Sequence, residues 1–162
     1  MVTSYYGSIY LSNAQYKLTP VSVSIGVPNL NPNIFSIKEL NPSISLLKDY
    51  HKYEVFDKRH MTENEYIKRY YEETLKNLSP SKIYERILYL VSEISLEAAL
   101  CCFCKPKSFC HRHLIAAWIN QILKEDLIVE IGESNPRYVY TEKGIFRKYS
   151  ETNSTLELEE LP

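Results

Sequence analysis

The stretch that decides the fold is Ala98-Ala99-Leu100-Cys101-Cys102-Phe103-Cys104-Lys105-Pro106-Lys107-Ser108-Phe109-Cys110-His111-Arg112-His113. Its first seven residues are an unbroken apolar run, as expected of a strand in a parallel sheet covered on both faces. Residues 105–109 read as a short loop. Over residues 110–123 a helix is predicted, with Leu114, Ala117, Trp118 and Ile122 facing inward. A buried strand handing over to a helix is the repeating unit of an α/β fold. In open sheets of that kind, ligands bind beyond the carboxyl ends of the strands.

Outward from this unit the pattern repeats. Residues 2–10 are rich in Tyr, Val and Ile and alternate as a strand does. Residues 20–27 alternate with period two, placing Val21, Val23, Ile25 and Val27 on one face and Ser22, Ser24 and Gly26 on the other. Small residues on that second face leave room for a helix or a ligand to approach the sheet. Residues 28–42 are polar and punctuated by proline, a loop with one short helix and long enough to act as a flap. A short helix is expected over 45–53. Thr62 with Glu65 resembles a capping box ahead of Tyr66, Ile67, Tyr70, Tyr71 and Leu75 at helical spacing. Ser79-Pro80 opens a further helix whose stripe is Ile83, Ile87, Leu90, Val91 and Ile94. Strands are expected at 127–131 and 138–140, and the acidic residues 151–162 read as a disordered tail. The expectation is one α/β domain over residues 1–150, a mostly parallel sheet flanked by helices in three layers.

The chemistry of residues 102–113 follows from their place. A helix N-terminus presents unpaired N–H groups and the positive end of the helix dipole, and Lys105, Lys107 and Arg112 add full charges. The ligand expected there is anionic, a phosphate or carboxylate. Helix N-termini and nearby cations also stabilise thiolates, which makes Cys110 a candidate nucleophile with His111 as its acid or base. The alternative is that Cys110 packs as a small buried residue. A third reading is metal binding, since Cys102, Cys104, Cys110, His111 and His113 offer thiolate and imidazole donors suited to zinc. The spacing lacks paired C-x2-C knuckles, so no metal ligand and no cofactor is assigned. Arg112, Lys105, Cys104, Tyr5, Tyr6, Ser22 and Ser24 are expected to bind the ligand. His51 and His60 stand beside charged residues and read as solvated.

Composition limits what such a site serves. With 19 basic and 20 acidic residues the net charge is −1, without the basic excess of a duplex-binding protein. The 14 Tyr against 5 Phe favour half-buried surfaces and ligand contacts. All four cysteines fall between 101 and 110, which argues for reduced thiols rather than a disulfide framework. No leader-like start and no apolar stretch of membrane-spanning length occurs, so a cytoplasmic location is expected. No G-x-G-x-x-G, Walker lysine loop or G-x-S-x-G elbow is present.

The strand ending L-C-C-F-C-K and the following F-C-H-R-H-L-I-A resemble the signature of the family known as domain of unknown function 488. The opening V-T-S-Y-Y-G and the later P-V-S-V-S-I-G-V-P are similar to its first two strands. The resemblance runs from about residue 2 to 127. It implies an α/β sheet with Cys110-His111-Arg112 in the family's pocket, and bacterial, archaeal or phage relatives, so a phage origin fits. It implies no particular activity. The chain departs from many relatives in carrying Cys101, Cys102 and Cys104 before the loop. The function expected is binding or processing of a nucleotide, nucleoside or related anionic small molecule, as a hydrolase or transferase using a cysteine. The alternatives are a non-enzymatic protein that sequesters a nucleotide signal or blocks a partner, and a zinc- or iron-binding regulator.

Overall fold

The computed structural model describes residues 1–7, 18–28, 34–51, 61–93, 97–105, 108–124, 126–141 and 146–149. Its sheet is built from β1 (Val2–Tyr5), β2 (Leu18–Ser22), β3 (Phe35–Ser36), β4 (Glu97–Cys102) and β5 (Val129–Glu130), in the order β3-β2-β4-β1-β5. Every pairing in it is parallel. The apolar run lies at the centre as β4, and all of its residues after Glu97 are buried. A separate antiparallel pair joins β6 (Tyr138–Tyr140) to β7 (Phe146–Lys148).

Four α-helices accompany these strands among the described residues, α1 (Ile44–His51), α2 (Glu63–Tyr70), α3 (Pro80–Ser92) and α4 (His111–Asn120), with a 3-10 turn at Lys38–Leu40 and a π-helical turn at Tyr71–Leu75. Their ends follow the sequence signals. Thr62 accepts from the Glu65 N–H while the Glu65 carboxylate accepts from the Thr62 N–H, the expected capping box. Ser79 caps α3, with Pro80 in its first turn. Ile83, Ile87 and Val91, spaced by four, bury one face of α3, each contributing about 1.5–3 kcal/mol of burial. Helix α4 is buried on all sides from His111 to Ile119, which places it inside the molecule rather than on its surface.

Alternation divides the core between the two faces of the sheet. Val21, Val23, Ala98 and Leu100 meet the helices, with Leu114, Ile115, Ile87 and Tyr70 in the same cluster. Tyr6, Leu18, Ala99 and Cys101 form a smaller cluster on the opposite face. The two faces are called front and back below. The architecture is the expected three-layer α/β fold.

Several boundaries differ from the sequence expectation. Strand β2 stops at Ser22, although the alternation continues to Val27. The Val23 N–H still donates to the Cys101 carbonyl, but the Ser24 hydroxyl then donates to the Gly26 carbonyl at 2.7 Å and the chain leaves the ladder. Ile25 and Val27 are accordingly exposed. Strand β4 ends at Cys102, so Phe103 is exposed and Cys104 belongs to the loop. The first helix is shifted to 44–51, and the last ends at Asn120, leaving Ile122 outside it and exposed. Strands β3 and β7 were not anticipated; at two and three residues, neither carries a readable period. The expectations for residues 8–10, His60, Ile94, Lys107 and residues 151–162 lie outside the described residues.

Candidate functional site: a thiol cluster beneath an aromatic cavity

Beyond the carboxyl ends of β2 and β4 opens a cavity of about 750 Å³. That volume is in the range of small-molecule sites. The loop after β2 (Ser24, Ile25, Gly26) forms one wall and the loop after β4 (Phe103, Cys104) the next. Aromatic residues from three other segments line it as well: Tyr50 of α1, Tyr66 of α2, and Phe109 before α4. Tyr50 and Tyr66 meet edge-on at 5.0 Å between centroids, and Tyr66 and Phe109 at 5.2 Å. Among the described lining residues none is lysine or arginine; the acid is Glu63, and His51 stands at the wall although its own surface is exposed.

Cys102, Cys104, Cys110 and His111 also line this cavity. The Cys102 and Cys104 sulfurs are 3.7 Å apart, and the Cys110 sulfur is 3.8 Å from Nδ1 of His111. Donor atoms of Cys102, Cys110 and His111 all lie within 4.8 Å of one another. Each position has a separate backbone cause. Cys102 is the last residue of β4 and shares the front face with Leu100 by alternation. Cys110 is the extended N-cap residue of α4, and its carbonyl accepts from the His113 N–H. His111 opens the helix, and its Nε2 donates to the Val23 carbonyl at 2.6 Å. Since a carbonyl only accepts, Nε2 holds the proton and Nδ1 turns its lone pair toward the sulfurs.

The environment separates the thiols. Hydrogen bonds from Cys104 and then Cys110, opposed by burial and aided by His111, hold the Cys102 thiol well below its ordinary range. Cys104 is pushed up, first by its bond to Cys102 and then by that to Cys110. Burial pushes the Cys110 thiol up to about 12 and the Cys101 thiol, on the back face, to about 12 as well. Burial also lowers the basicity of His111, so the imidazole is neutral near pH 7. Cys102, Cys104 and Cys110 therefore titrate as one group beside the positive end of α4, with hydrogen bonds from its neighbours favouring the charge on Cys102.

Of the residues expected at the site, Cys104, Cys110, His111 and Ser24 come together around the cavity. Tyr5, Tyr6, Ser22, Lys105 and Arg112 are not among its lining. Ser22 pairs with Cys101 in the ladder and shares the back face with it, where the Tyr6 hydroxyl donates to Ser22 Oγ at 2.6 Å. Ser24 reaches the cavity because the strand has already ended. Lys105 is exposed. Arg112 is fully buried and has a different task from anion binding. Its Nε and one Nη bind both oxygens of Glu130, at 3.1 and 3.0 Å, and its remaining contacts are the carbonyls of Cys104 and Lys105. It clamps the loop after β4 to β5.

Glu130 itself accepts from the Thr3 hydroxyl at 2.6 Å, and Nδ1 of His113 lies 3.6 Å from it. His113 therefore faces this network and not the thiols. Burial, with Arg112 next to it, pushes the His113 pKa down to about 2. From sequence, Cys102 was named only as a metal donor, and Glu130 not at all. Cys102 had a legible signal, the last place in a buried strand. Glu130 had none, because its partners lie 18 and 127 residues away.

No helix among the described residues is long and apolar enough to cross a membrane. No curated protein and no solved structure gives a significant match to the chain. The family DUF488-N3a, described as the active DUF488-N3 subclade, matches residues 26–123, which take in β3, α1 to α4, β4 and the whole thiol cluster. That match covers more than half of the sequence and agrees with the resemblance at the Cys-His-Arg segment, and the chain belongs to the DUF488 family.

Proposed function

We propose that the protein binds a flat, nucleoside-like small molecule in the cavity and acts on it through the sulfur of Cys102. The observation that carries this reading is the joint placement of the thiol–imidazole cluster and the aromatic walls in one cavity at the carboxyl ends of the parallel strands. Tyr50, Tyr66 and Phe109 suit the face of a planar ring. Cys102 forms the new bond to an electrophilic atom of the ligand, and the leaving group departs with the old bonding pair. Cys104 and Cys110 donate hydrogen bonds to the sulfur, and His111, held by Val23, orients its surroundings. This shifts the nucleophile from Cys110, the residue favoured by sequence, to its neighbour across the cluster.

The test combines calorimetry and intact mass on the reduced full chain, offered a panel of nucleosides and their 5′-phosphates. Saturable binding of at least one nucleoside, weakened by Phe109→Ala and retained in Cys102→Ser, is expected. Turnover or a covalent adduct should be lost in Cys102→Ser. Binding to phosphates alone, or turnover surviving in Cys102→Ser, overturns the reading.

A further inference from the structure

We infer that Cys102, Cys110 and His111, with Cys104 as a fourth donor, form a binding site for a zinc ion. The argument is geometric. A tetrahedral zinc centre with Zn–S near 2.3 Å and Zn–N near 2.0 Å has S···S edges of about 3.8 Å and S···N edges of about 3.5 Å. The Cys102–Cys104 separation of 3.7 Å and the Cys110–His111 separation of 3.8 Å match those edges closely. Donor atoms of Cys102, Cys110 and His111 thus converge to within 4.8 Å of one another from a strand end, an N-cap and the first turn of a helix, and the Cys104 sulfur stands 3.7 Å from that of Cys102 in the adjoining loop.

The imidazole is already arranged as metal-bound histidines are. Its outer nitrogen donates to a backbone carbonyl, Val23 O, which leaves the inner lone pair aimed at the sulfurs. Arg112 supplies a second outer support by holding the carbonyls of Cys104 and Lys105. Thiolate and imidazole together select a soft or borderline cation such as zinc over magnesium or calcium. The three buried donors alone leave a fourth position toward the cavity, which Cys104 closes when it ligates.

Occupancy has a consequence that rests on the function proposed above. A Cys102 sulfur that shares its electron density with zinc is a weaker nucleophile than the free thiolate, so zinc occupancy slows covalent chemistry at this site. Zinc would then act as an inhibitor.

The experiment is an anaerobic titration of the reduced full chain with Co²⁺, followed by displacement with Zn²⁺. The expected result is a thiolate-to-cobalt charge-transfer band with intense tetrahedral d–d absorption, saturating at one equivalent and abolished by one equivalent of zinc. Cys110→Ser and His111→Gln should each weaken zinc binding by about tenfold or more, since even outer-sphere losses have effects of that size. Cys101→Ser, on the back face, should leave binding unchanged. The wild-type spectrum decides the matter even if a variant misfolds. Absence of the charge-transfer band, or equal loss of binding in Cys101→Ser, overturns the inference. No cavity ligand takes part, so failure here leaves nucleoside binding open, and failure of nucleoside binding leaves the metal result standing.

Discussion

Four consecutive residues, Cys110 to His113, point into two different environments. Cys110 and His111 border the cavity and meet Cys102 and Cys104. Arg112 and His113 turn toward β5 and join Glu130, Thr3 and, through His113, Arg137. The first pair lines the cavity wall although it is itself buried, at 2% and 4% exposed. The second pair is equally buried, at 0% and 4% exposed, but packs against Glu130 and not against the cavity. A motif that reads as one functional unit is thus divided into a chemical half and a scaffolding half by the turn of a helix. The lesson is that a charged residue beside a reactive one is not evidence of ligand contact.

The largest expected effect is on the scaffolding side. Arg112→Ala leaves Glu130 buried without its counter-ion and should lower stability by about 3–5 kcal/mol, measured by urea unfolding. A variant that kept its stability and lost only ligand binding would erase the division between the halves. Arg112→Met combined with Glu130→Leu removes both charges. That double variant should be more stable than Arg112→Ala, and the non-additivity reads out the pair directly.

On the chemical side, Cys102→Ser should change stability by about 1 kcal/mol or less while removing all reactivity at that position, because Ser keeps the volume and hydrogen bonds of a small side chain. A collapse of stability instead would make Cys102 a core residue. The smallest effect belongs to the back face: Tyr6→Phe removes a hydroxyl bonded to Ser22 and should cost about 1 kcal/mol with ligand binding intact. Weakened binding in that variant would restore Tyr6 and Ser22 to the site.

How much of this could be read in advance depends on range. The βα unit, the two helix caps and the parallel sheet were legible because each rests on neighbours within a few residues: seven apolar residues in a row, Thr62 with Glu65, Ser79 with Pro80. The meeting of Cys104, Cys110 and His111 at the end of this unit was legible for the same reason. Of the small-residue face expected along residues 20–27, Ser24 and Gly26 line the cavity while Ser22 does not, because the strand ends at Ser22, whose hydroxyl meets Tyr6. Likewise the role of Arg112 depends on Glu130, whose place beside it is set by the pairing of β5 with β1. Long-range pairing of that kind leaves no mark on local sequence.

Cys102 at the end of β4, and not Cys110 at the helix start, is the proposed reactive thiol among those lining the cavity. The most direct measurement is site-resolved alkylation of the native, reduced chain with iodoacetamide, read by peptide mass over time. Cys102 should be modified first, with Cys101 and Cys110 protected until the chain is unfolded. Modification of Cys110 ahead of Cys102, or equal protection of all four thiols, would contradict it.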